Sequence, residues 1–148
     1  MIASRTLAAP IPIAAIALLI INDHYLKAEY PGWVTGKLSD FAGLVFFPLL
    51  LAAICEQVGF RRGMATIIGA TIATAIVFIA IKLSATAGEG YRIALAVLQW
   101  PFRAAFALID GAAMPGLVKV RLAADPTDLI ALVALAVPLA LARRVSRR

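Results

Sequence analysis

Charge is what this chain has least of. Asp, Glu, Lys and Arg make up 15% of its 148 residues, against about 25% in an ordinary soluble domain. Apolar residues make up 63%, and the mean hydropathy is +0.95. A soluble globule of this size buries only about two thirds of the surface its unfolded chain exposes, so it could not hide so much apolar area. This excludes a soluble enzyme, a nucleic-acid-binding domain and a disordered tail. There is one cysteine, Cys55; it cannot form an intrachain disulfide and reads as a small hydrophobe at the end of an apolar run. There is one histidine, His24, and no cluster of Cys or His with it, whereas metal sites want three or four ligands. Phosphate-loop and dinucleotide fingerprints are missing, and no nucleophile–base pair is visible, since Ser39 beside Asp40 reads equally as a helix cap. No metal or other cofactor is expected.

What the chain has instead is long apolar runs. They fall at 7–21, 41–55, 64–81 and 129–142. With their polar flanks they approach the roughly 20 residues that cross a hydrocarbon core. In lipid every backbone polar group must be paired within its segment, so such runs are helices. The expectation is an all-α polytopic bundle forming one membrane domain, with spans at about 7–22, 38–55, 64–82 and 126–142. The first run follows Arg5 but lacks a small-x-small cleavage site, so it reads as an uncleaved first span. Asp125-Pro126-Thr127-Asp128 reads as a helix start, with Asp125 at the N-cap, Pro126 at N1 and Asp128 on the positive helix end. Pro31-Gly32 marks a turn, and the short 56–63 linker makes an antiparallel hairpin of the second and third spans.

The stretch 91–109 is ambiguous. Arg92, Gln99, Arg103 and Asp110 fall on one narrow helical stripe with apolar residues around it. It reads as an amphipathic or re-entrant helix, because Arg103 would be costly in lipid, by about 2.5–3.5 kcal/mol; a fifth span is the other option.

With four spans, each side of the membrane carries seven of the fourteen basic residues. Arg61-Arg62 and the cluster from Arg143 to Arg148 stand tight against helix ends, which places both termini in the cytoplasm. The acids segregate more sharply: all but Glu56 fall on the other side. That face gathers Asn22-Asp23-His24, Lys37-x-x-Asp40, Lys82 and Asp125-x-x-Asp128. Ionisable groups at membrane depth are expensive and pair or line polar sites. Lys37 and Asp40 share a helix face at i and i+3, and Asp23 and Lys27 at i and i+4. Asp23, His24, Lys37, Asp40, Lys82 and Asp128 are the candidate binding residues of an acidic cleft suited to a lipid head group or an amphiphilic small molecule. Tyr25, Tyr30 and Trp33 form an interfacial aromatic belt beside it. On the third span Ala65, Gly69 and Ala73 make a small-residue face that would admit a partner helix. Beside a binding protein, a small or proton-coupled transporter and an accessory subunit of a membrane complex are the alternatives; against the transporter, no acid lies mid-helix in the four spans.

The string Gly36-Lys37-Leu38-Ser39-Asp40-Phe41, followed by Phe47-Pro48-Leu49, resembles the VanZ-like family of small bacterial multi-pass membrane proteins. Its members often show Asp-Lys-x-x-His-Phe before the second helix and Phe/Val-Pro-Leu within it. Their last helix tends to open with Arg and then Asp before an apolar run, as Arg121 precedes Asp128-Leu129-Ile130 here. Gly36 stands where the family has Asp, Asp40 where it often has His, and Lys82 lies where it has Glu-x-x-Gln. The resemblance implies a bacterial inner-membrane protein without established catalytic activity.

Overall fold

The computed structural model describes residues 1–59, 63–120, 122 and 125–147. Arg61, Arg62, Arg121 and Arg148, used above for orientation and resemblance, lie outside them. The described chain is all-helical: a short helix α1 (Ile2–Leu7), then α2 (Pro10–Glu29), α3 (Trp33–Gln57), α4 (Met64–Leu83), α5 (Ala85–Ile109) and α6 (Pro126–Ser146), whose first ten residues, Pro126–Leu135, are wound as a 3-10 helix. The last five are each long and apolar enough to cross a membrane, with 20 to 25 residues apiece, which makes this a multi-pass membrane protein. They include the ambiguous 91–109 stretch, which begins earlier than expected because Ser84 caps α5, its Oγ accepting from the Ala87 N–H at 3.3 Å.

Other boundaries differ from the sequence reading as well. The first span starts at Pro10 rather than 7, because a proline ring blocks the carbonyl one turn back and so favours the first helical position. It also runs on past its apolar stretch to Glu29, through a π-helical turn at Asn22–Leu26. The second span starts at Trp33 rather than 38. Gly32 is extended there, and its N–H donates to Thr35 Oγ1 at 3.1 Å.

The chain divides into two compact units, Met1–Val77 with Thr127–Arg148, and Phe78–Pro126. In the first unit Leu49 and Ile67 are fully buried in a core otherwise made of Ala3, Ala52, Ala53, Ala70 and Ala142. The alanines let α1, α3, α4 and α6 approach closely, as small residues do between membrane helices. Thr71 and Thr74 are buried in α4, and each donates its hydroxyl to the carbonyl one turn back at 2.8 Å. The large side chains point out: Ile13, Ile20, Phe47, Ile54, Ile72, Ile76 and Val133 are all exposed. Small and polar inside with large and apolar outside is the pattern of a protein whose solvent is lipid. Between α3 and α4 the backbone turns at Gly59 (φ +92°) and Gly63 (φ +120°), conformations that a side chain would strain.

Candidate functional site

The first two turns of α3 carry polar side chains on two sides. Toward α2 they meet Asn22 and Asp23. The π turn is wider than an α turn, and it aims both of these consecutive residues at Ser39. Asn22 is fully buried. Its Nδ2 donates to Thr35 O and to Ser39 Oγ, each at 2.7 Å. The Ser39 hydroxyl in turn donates to Asp23 Oδ1 at 2.6 Å. That oxygen also meets Lys27 Nζ at 2.6 Å, with both side chains about 40% exposed, so the pair closes the network on its outer rim. The expected i, i+4 pair is therefore present. The Ser39 hydroxyl spends its proton on Asp23 and a lone pair on Asn22, and it ties two helices together. One atom is left over: among the described residues, Asn22 Oδ1 is buried with no hydrogen-bond partner.

Toward α6, Lys37 is buried. Its Nζ lies 2.5 Å from Asp128 Oδ1 and 2.7 Å from Thr127 Oγ1, and 4.8 Å from the centre of the Trp33 ring. An ammonium can donate three hydrogen bonds, and these contacts suit a cation drawn out of water. Asp128 sits in the first turn of α6, which begins at Pro126 as expected. The carboxylate that a helix start would place there anyway thus also serves a partner on another helix.

Of the six candidate residues, Asp23, Lys37 and Asp128 are joined to the start of α3, and Asp40 stands half-buried one turn further along it. His24 is exposed, with Nδ1 2.9 Å from Ile20 O of its own helix. Lys82 belongs to the other unit, where its ammonium lies 5.4 Å from the centre of the Phe78 ring. Two acids of this rim, Asp23 and Asp128, each meet a lysine ammonium. Among the described residues no three of the His, Cys, Asp and Glu side chains gather as a metal site would need.

The sequence reading missed two polar groups. Asn22 is the centre of the network, and a buried amide at the end of an apolar run was the available signal. Glu56 reads from the sequence as a linker charge, yet it is fully buried in α3. Its Oε1 accepts from Gly63 N at 3.2 Å and from Ala3 N at 3.5 Å, and among the described residues its Oε2 has no partner.

No family model, no curated protein and no solved structure matches this chain.

Proposed function

We propose that this is a non-enzymatic membrane protein of the VanZ-like type, resident in a bacterial inner membrane with both termini cytoplasmic, that binds a lipid head group or similar amphiphile at the polar start of α3. The observation that carries this reading is Asn22 Oδ1. A buried acceptor left unpaired costs about 1–3 kcal/mol, and a ligand that donates a hydrogen bond removes that cost. The exposed Asp23–Lys27 pair is the entrance, since such a pair is worth only about 0.3–0.5 kcal/mol and opens readily. Tyr25, Tyr30 and Trp33, all exposed, suit the head-group layer. The matching ligand is an amphiphile whose head bears an N–H or O–H donor.

The test is lipid retention. Protein purified from membranes in mild detergent is expected to keep phosphatidylethanolamine, whose ammonium donates, over phosphatidylcholine, whose ammonium cannot, by about tenfold relative to the bulk membrane, or about 1.4 kcal/mol. Asn22→Leu and Asp23→Asn are expected to return that ratio to the bulk value at unchanged expression. Bulk composition on the wild-type protein would sink the reading.

A second reading, an accessory subunit of a membrane complex, is favoured by a groove between α3 and α4. It has a volume of about 460 Å³ and is lined by Leu51, Cys55, Ala65, Gly69, Ala70 and Ala73, so it includes the small-residue face, which would let a partner's transmembrane helix approach closely. In native membranes a thiol-directed cross-linker at Cys55 is expected to give one band of defined higher mass, lost in Gly69→Leu. The absence of that band in the wild type counts against the reading.

A further inference from the structure

The second unit contains a hairpin of unusual make-up. After α5 the chain turns at Gly111 (φ +65°), and residues 112–120 return without helix or strand. They run back along α5 in antiparallel register. The Trp100 indole N–H donates to Pro115 O at 2.9 Å, Arg92 Nε–H donates to Val120 O at 2.9 Å, and the Lys119 ammonium meets the Glu89 carboxylate. Leu122 packs on Gly88, where a Cβ would come within 3.3 Å of it. The returning segment therefore covers α5 from its first turn to Trp100.

Among the described residues, none of the backbone N–H groups from 113 to 120 donates a hydrogen bond. Nor is the segment hidden inside protein: Met114, Leu117 and Val118 are 49–58% exposed. Extended backbone of this kind is not tolerated against hydrocarbon, where each unpaired group costs several kcal/mol, and is found at membrane depth only when protein or a water-filled cavity surrounds it. Because the segment accompanies α5 over most of its length, α5 shares its surroundings. Yet the side of α5 away from the Arg92, Gln99 and Arg103 stripe is apolar and bare. Val97, Leu98, Phe102, Leu108 and Ile109 are 54–79% exposed there. A helix with such a face and a wet, partly cationic opposite face belongs in the plane of the membrane interface. The hairpin carries Arg92, Arg103 and Lys119 against Glu89 and Asp110, an excess of cation that suits lipid phosphates.

We propose that α5 and the returning segment form a hairpin bound to the bilayer surface, with Val97, Leu98, Phe102, Leu108 and Ile109 seated in the acyl boundary and the returning backbone hydrated. Four helices, α2, α3, α4 and α6, then cross the membrane, although five are long enough.

Single cysteines in a Cys55→Ser background test this. Ala85→Cys, Gln99→Cys and Asp110→Cys are placed near the two ends and in the middle of the polar stripe, and Ala105→Cys lies on the apolar face. A membrane-impermeant maleimide is applied to sealed vesicles of each orientation. The expected result is that positions 85, 99 and 110 all label in one orientation and not in the other, and that 105 is protected in both. Labelling of 85 and 110 in opposite orientations, with 99 protected, would overturn the proposal. A measurement free of cysteine variants uses Trp33→Phe protein in vesicles of lipids brominated at shallow or deep acyl positions. Trp100 emission is expected to be quenched more by the shallow bromines, and stronger quenching by the deep ones also overturns it.

Discussion

Replacing Lys37 by methionine is expected to cost about 3–5 kcal/mol of stability, the usual penalty for stranding one member of a buried ion pair. The two side chains are 6% and 9% exposed, and their charged atoms are 2.5 Å apart. Without the ammonium, the Asp128 carboxylate stays in a low-dielectric setting with that cation gone, and Thr127 Oγ1 loses that hydrogen bond. Asp128→Leu takes the carboxylate away from a buried ammonium and is expected to lose a similar amount. The double variant, Lys37→Met with Asp128→Leu, removes both charges together. Well-packed apolar replacements of a buried pair are often neutral or better, so the double variant is expected to lie close to the wild type and well above either single variant. Thermal unfolding in detergent, followed by size-exclusion fluorescence, reads all four corners of the cycle. Two single losses below about 1 kcal/mol that simply add in the double variant would mean a pair held at solvent-exposed strength.

That pair also shows where sequence reasoning stops. The apolar runs announce the helices, because lipid leaves the backbone no other way to pair its polar groups. The start of α6 is legible in Asp125-Pro126, and the Asp23–Lys27 pair in its i, i+4 spacing. Lys37 and Asp128 were both legible as members of one polar rim. Their partnership was not, since 91 residues separate them and the only local rule at hand pointed to Asp40. The π turn at Asn22 escaped for another reason. An apolar run ends where side chains become polar, but the backbone ladder has no cause to stop there, and α2 carries on to Glu29. Glu56 escaped for the same reason: the apolar run closes at Cys55 while α3 continues to Gln57, so a residue read as a linker charge is inside the helix. The returning segment after α5 has no periodicity to read, and only its contacts to Glu89, Arg92 and Trp100 reveal that it lies along the helix.

Glu56→Leu is expected to destabilise the protein by about 3 kcal/mol. Glu56 Oε1 is the acceptor for the backbone N–H groups of Ala3, in the first turn of α1, and of Gly63, directly before α4. One carboxyl oxygen thus joins the start of two helices to the end of a third, at helix ends whose N–H groups lack partners within their own helix. Leucine has similar bulk and no acceptor, and each buried N–H that it strands costs about 1–3 kcal/mol. The Ala3 contact, at 3.5 Å, is the weaker of the two, which is why the expected total stays in the lower half of the combined range. Glu56→Gln separates this account from simple space filling. It keeps an acceptor oxygen and the volume, and is expected to lie within about 1 kcal/mol of the wild type, the net worth of a typical hydrogen bond. Thermal unfolding of the two variants side by side decides the matter. If leucine and glutamine are tolerated equally, the carboxyl oxygen does not hold α1 and α4 in place, and the packing of Ala3, Leu49, Ala52 and Ile67 alone holds that end of the first unit together.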